Sequence, residues 1–333
     1  MRKCMLFLLF SIQISCSDKI LEKIDGVSLV ASREMVNHGH VDELLKINAN
    51  YVSVMPFGFI QNLNSPEIIF NSDRQWFGET VKGIQQYIGV LQNKGIRVMV
   101  KPQIWIWRGE FTGKLQMSTE EDWKILEESY EKFILAYAVV AQKSKVPLFC
   151  MGTELELFVQ NRPAYWRALI LKIREVYRGK LTYAANWDEY TKIPFWDELD
   201  YIGVDAYFPL SDAKTPTLDQ LRKGWQKDKE KMGTFSGMIK KPILFTEFGY
   251  RSCDYTAWKP WLMDRNDTTV NLEGQANATQ VIFEEFWKEE WFAGGFIWKW
   301  FIDHERSGGE EDNRFTPQNK PAEAIIREFY GKN

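Results

Sequence analysis

Eight times along 333 residues, a short apolar run gives way to a longer and mostly amphipathic stretch. The runs cover 24–30, 51–55, 97–101, 147–153, 181–186, 201–207, 243–247 and 295–300. Between them, stretches such as 120–143, 163–177, 218–232 and 273–290 place apolar residues at spacings of three and four, the period of a helix with one buried face. A last helix is expected over 321–330, and Lys94-Gly95 and Arg178-Gly179 supply glycines that would end helices just ahead of strands. Near-continuous apolar strands alternating with helices are buried on both faces, which means a parallel sheet. Eight such units close into a (β/α)8 TIM barrel, an α/β fold. No Gly/Ser-rich linker and no shift of composition divides the chain, so one domain is expected over residues 17–333.

Two of the runs end on a carboxylate. Lys-Pro-Ile-Leu-Phe-Thr-Glu-Phe-Gly-Tyr delivers Glu247, and Val-Pro-Leu-Phe-Cys-Met-Gly-Thr delivers Glu154. A buried, unpaired carboxylate costs several kcal/mol or stays protonated, so an acidic residue ending an apolar strand belongs in a solvated pocket. One such Glu could equally cap a helix or pair with an arginine. Two in matching contexts are the minimum equipment for cleaving a glycosidic bond. Glu156 competes with Glu154, since residues two apart in a strand share a face, but it falls past the strand end.

Barrel enzymes build their sites at the C-terminal strand ends, so the residues that close each run are the ones to read. The third run opens into Lys101-Pro-Gln-Ile-Trp105-Ile-Trp-Arg108, and the fourth closes on Thr153 and Glu154. The fifth gives Asn186, Trp187 and Asp188, the sixth Asp205 and Tyr207, the seventh Glu247, the eighth Trp298 and Trp300. This is a polar and aromatic rim around two carboxylates. Fourteen Trp, thirteen Tyr and twenty-two Phe exceed what a core requires, although most are expected to pack between barrel and helices. Some would offer the flat faces on which sugar rings dock. The formal net charge of -3 supplies no basic face for nucleic acid. His38, His40 and His304 are not spaced as metal ligands, and neither a phosphate-binding glycine loop nor a Ser/His/Asp arrangement is evident, so no cofactor or metal is implied.

The N-terminus reads as a targeting segment. Arg2 and Lys3 precede an apolar stretch too short to span a bilayer, which runs to Ser15-Cys16. Residues 1–16 resemble a bacterial lipoprotein signal in which Cys16 would be lipidated and become the new terminus. Gln13 stands where that signal usually has Leu, so cleavage to a soluble secreted protein is the rival reading. The expected location is the bacterial cell envelope, periplasmic or surface, with a lipid anchor in the membrane. Cys150 and Cys253 are expected to be free, because one sits in a core strand and the other in a loop.

The motifs Met-Gly-Thr-Glu-Leu-Glu at 151–156, Tyr-Ile-Gly-Val-Asp-Ala-Tyr at 201–207, Phe-Thr-Glu-Phe-Gly-Tyr at 245–250 and Lys-Pro-Gln-Ile-Trp followed by Trp-Arg-Gly at 101–109 resemble the clan A glycoside hydrolases. Within that clan the sequence looks most like family 113, the β-mannanases, over nearly the whole mature chain. The resemblance implies Glu154 as acid/base, Glu247 as nucleophile and Tyr207 beside the nucleophile. It implies retaining hydrolysis of β-1,4-mannan or manno-oligosaccharides, with Lys101, Trp105, Arg108, Thr153, Asn186, Trp187, Asp205, Tyr207, Trp298 and Trp300 around the sugar. Another clan A activity on a β-glucan, or a non-catalytic glycan-binding lipoprotein, are the alternatives. Many clan members have Asn before the acid/base Glu, where this chain has Thr153; one hydroxyl donor then replaces an amide's two.

Overall fold

The computed structural model describes residues 22–262 and 268–332. The expected signal segment, with Cys4 and Cys16, lies outside the described residues. In chain order the strands are β1 (Ile24–Leu29), β2 (Tyr51–Val54), β3 (Phe57–Ile60), β4 (Arg97–Val100), β5 (Gln103–Ile106), β6 (Leu148–Thr153), β7 (Lys180–Asn186), β8 (Ile202–Ala206), β9 (Ile243–Phe248) and β10 (Phe292–Trp300). The helices are α1 (His38–Lys46), α2 (Val81–Asn93), α3 (Glu120–Lys143), α4 (Glu156–Asn161), α5 (Pro163–Val176), α6 (Leu218–Ile239), α7 (Leu272–Phe286) and α8 (Pro321–Tyr330). Eight strands close a barrel in the order β1-β10-β9-β8-β7-β6-β4-β2, and every pairing is parallel. The (β/α)8 expectation holds.

Two strands lie outside it. β3 and β5 pair with each other in parallel, Phe57 opposite Gln103 through Ile60 opposite Ile106, as a small flap beyond the ends of β2 and β4. Pro56 and Pro102 stand at the two junctions, where each chain leaves the barrel ladder.

Alternation along the strands separates two cores. One set, including Ile24, Tyr51, Met99, Leu148, Cys150, Leu244 and Phe296, packs inside the barrel. The other, with Val27, Val52, Val98, Phe149 and Phe245, faces the helices in a much larger apolar layer. Local chemistry starts the helices where the pattern predicts. Thr119 caps α3 by accepting from the Asp122 amide, and Thr217 with Gln220 forms a capping box on α6. Gly95 takes a positive φ of 81° after α2, as expected of a helix-ending glycine. Gly179 does not, because α5 already stops at Val176 and runs into extended Tyr177.

The seam that closes the barrel is tight. Gly294 has φ 106°, and a Cβ there would sit 2.3 Å from the Ile24 carbonyl oxygen. At the same end, Lys23 Nζ donates to the carbonyls of Glu289, at 2.7 Å, and Phe292, Trp287 Nε1 donates to Asp25, and the Tyr330 hydroxyl donates to Gly26. Both ends of the described chain are therefore fastened at the N-terminal end of the strands.

Candidate active site

At the opposite end, Glu154 and Glu247 each follow an irregularity in their own strand. β6 carries one residue more than β7 between Cys150 and Thr153, and β9 carries one more than β8 between Phe245 and Glu247. Such bulges re-aim the side chains beyond them and recur beside active sites. Glu154 also adopts φ 49°, unusual for a residue with a Cβ, and its amide donates to the Ala184 carbonyl at 2.8 Å.

The two carboxyl groups meet different surroundings. Glu247 is buried and accepts from three donors: Lys101 Nζ and Gln103 Nε2 (2.9 Å) at Oε1, and the Tyr207 hydroxyl (2.7 Å) at Oε2. Glu154 is only partly buried, and among the described residues its carboxyl group receives no hydrogen bond. Desolvation holds its pKa well above the usual carboxylate range; the charges of Asp205 and Glu247 add to this, and Lys101 opposes. Of two carboxyl groups in such unlike surroundings, the desolvated one is suited to hold a proton.

Beneath the pair lies a buried charge cluster. Lys101 Nζ sits 3.2 Å from both oxygens of Asp205, and Thr246 Oγ1 donates to Asp205 at 2.7 Å. Burial alone would discharge Lys101, but Asp205 and Glu247 outweigh it and keep the ammonium charged. Burial and then Glu247 push the Asp205 pKa up to about 7, with the bifurcated lysine contact and the threonine donor opposing them. Lys101 is thus a bridge, fixing Glu247 against Asp205.

This placement takes Lys101, Asp205 and Trp300 off the rim expected from the sequence and agrees with setting Glu156 aside. Lys101 and Asp205 have side chains with no exposure and cannot touch a sugar; they act through Glu247. Trp300 is 1% exposed, tilted against His304. Two residues apart in a regular strand, Trp298 and Trp300 would share a face, but β10 gains a residue against β1 between Ile297 and Trp300 and the alternation breaks. Glu156 enters the first turn of α4 and pairs with Lys192 at 2.9 Å, away from the carboxylate pair.

The remaining predicted residues line the rim. Trp105 is exposed on β5 and Arg108 just past it, while Asn186, Trp187 and Trp298 are partly exposed at the ends of their strands. Thr153 Oγ1 is buried without a hydrogen-bond partner among the described residues. Sequence reasoning missed Gln103, whose signal was its place one residue after Pro102, and Thr246, directly ahead of Glu247. It also missed an aromatic margin. Trp76, Trp107, Phe111, Trp258 and Trp261 are all exposed in loops that leave the same strand ends. Trp261 stacks on Trp187 at 5.1 Å between ring centres, joining the loops after β7 and β9. A side hollow of about 500 Å³ beside Arg33, Arg74 and Trp76 contains neither Glu154 nor Glu247.

The sequence profile of Glycoside Hydrolase Family 113 matches residues 33–320. The chain belongs to glycoside hydrolase family 113. It is therefore a glycosidase. No curated protein matches it by sequence. Among solved structures it is similar to a family 113 β-1,4-mannanase in complex, at TM-score 0.81 and 23% identity over 94% of this chain and 100% of that one. A family 113 β-mannanase from Alicyclobacillus acidocaldarius superposes at TM-score 0.80 with 22% identity, covering 93% of this chain and 97% of its own. A Faecalibacterium prausnitzii β-glucuronidase shares the barrel at TM-score 0.60 and 15% identity, covering 93% of this chain and 49% of that enzyme. In this family 113 glycosidase, Glu154 and Glu247 both stand at the C-terminal ends of barrel strands, at the mouth of the barrel.

Proposed function

We propose that the enzyme is a retaining β-mannanase in which Glu247 is the nucleophile and Glu154 the acid/base. The observation that carries this is the asymmetry of the pair: Glu247 accepts three hydrogen bonds at both oxygens, whereas the Glu154 carboxyl group is desolvated, receives no hydrogen bond among the described residues and is pushed toward its protonated form. In the first step Glu247 attacks the anomeric carbon, forming a glycosyl ester, while Glu154 gives its proton to the departing glycosidic oxygen. In the second, Glu154 takes a proton from water, whose oxygen displaces Glu247 and releases the sugar with its configuration kept. Tyr207 and Gln103 hold the attacking carboxylate in one orientation, and Lys101 anchors it from below.

Mannan as substrate is supported by the family and by the β-mannanases it resembles in fold. Mannose differs from glucose by an axial 2-hydroxyl, and discrimination on one hydroxyl needs a partner that the wrong epimer would leave unpaired. Thr153 Oγ1 is itself buried, so the exposed part of the 101–108 segment, Arg108 included, is better placed to supply that partner. The test compares kcat/KM on mannopentaose and cellopentaose. Higher activity on mannopentaose is expected, and equal or greater activity on cellopentaose would overturn the substrate while leaving the mechanism standing.

A further inference from the structure

β10 delivers a cation to the site that the mechanism has not used. Lys299 directly follows Trp298 at the strand end and is partly buried, yet among the described residues its ammonium makes no hydrogen bond and no ion pair. What it has instead are two aromatic rings: the Trp298 ring centre lies 5.5 Å from Nζ and that of Phe301 5.3 Å. These ring faces hold the cation but engage none of its three N–H donors in a directional bond. Burial lowers its pKa; of the charged groups around it Glu247 opposes this most strongly, Arg314 adds to it and Asp312 opposes it more weakly. Asp312 is already paired with Lys320 at 2.6 Å.

A desolvated ammonium with unspent donors beside a nucleophile is poised for acceptors brought by the substrate. Charge decides which kind. Asp205, Glu247 and Glu154 already gather three carboxyl groups at this end of the barrel, so an acidic sugar would crowd a fourth beside Glu247. Hydroxyl oxygens of a neutral ring supply acceptors without that penalty. Resting on the reading of Glu247 as nucleophile, we propose that Lys299 is a specificity-determining residue that donates hydrogen bonds to hydroxyls of the neutral sugar unit covering Glu247.

The experiment measures kcat/KM for wild type and Lys299→Met on an activated aryl β-mannobioside and on analogues lacking one hydroxyl of the sugar next to the aryl group. The variant should lose about 10- to 100-fold on the parent, the range for a hydrogen bond to a charged donor. On the analogue lacking the engaged hydroxyl, the two proteins should agree within about 3-fold, since the partner is gone from both. No loss on the parent, or the same loss on every analogue, overturns the proposal. If wild type prefers the corresponding gluco series, the mannan reading fails and the same comparison on that series tests Lys299. If wild type cleaves neither, calorimetric affinities for mannopentaose and cellopentaose replace rates, and equal binding by the two proteins overturns it. Lys299→Leu, which also removes the donors, replaces the Met variant should the latter unfold below wild type.

Discussion

At the scale of residues, the site works by giving two chemically identical groups unlike surroundings. Removing Glu247 as Glu247→Ala should abolish turnover, and azide should restore part of it while yielding a product of inverted configuration. That outcome follows from an emptied space beside the anomeric carbon, with Glu154 still able to donate; no rescue by azide would count against the nucleophile assignment. Glu154→Ala should slow substrates with poor leaving groups far more than activated aryl glycosides, because only the former need the proton. The pH profile follows from the same asymmetry. Burial and the charges of Asp205 and Glu247 raise the Glu154 pKa, so its catalytic proton is present at pH values where an ordinary carboxylate has lost it. Wild-type kcat/KM on mannopentaose should therefore persist to higher pH than an ordinary carboxylate would allow and fall as pH rises through that raised pKa. In Glu154→Ala, measured on an activated aryl glycoside, this alkaline limb should be missing.

At the scale of elements, what matters is how strands present their ends. The eight barrel strands were legible because each is an apolar run, and the two carboxylates because a charge closing such a run is tolerated only where the strand opens into a polar pocket. β3 and β5 were not legible, since each is only four residues long and separated by a proline from a barrel strand that already accounted for the apolar pattern. The recurring strand-Pro-strand spacing at Pro56 and Pro102 was the available signal. Side-chain direction past a bulge was also beyond reach: nothing in Phe-Thr-Glu or in Ile-Trp-Lys-Trp announces the extra residue that re-aims Glu247 or turns Trp300 into the core. Lys101 was misplaced for a related reason, because its partner Asp205 is 104 positions away and only closure of the barrel brings them together. Closure itself depends on Gly294. A side chain there would meet the Ile24 backbone and an unfavourable φ at once, so Gly294→Ala should destabilise the fold by about 3 kcal/mol or more. Chemical denaturation of the two proteins measures this, and a loss under about 1 kcal/mol would show that the seam relaxes freely.

At the scale of the whole molecule, we propose that the enzyme is held at a bacterial membrane through lipidated Cys16, with the barrel outside the cytoplasm. Mass spectrometry of the mature N-terminus should find a diacylglyceryl modification on Cys16; cleavage at another residue without lipid, or an intact terminus, would refute it. The fastening of Lys23 to the Glu289 and Phe292 carbonyls gives such an attachment a direction. Lys23 enters the fold at the end of the strands remote from Glu154 and Glu247, and only six residues separate Cys16 from Lys23. An enzyme moored on so short a leash would stand on its closed base with its aromatic margin turned outward, free to meet a passing polysaccharide side-on and unable to reach anything embedded in the surface beneath it.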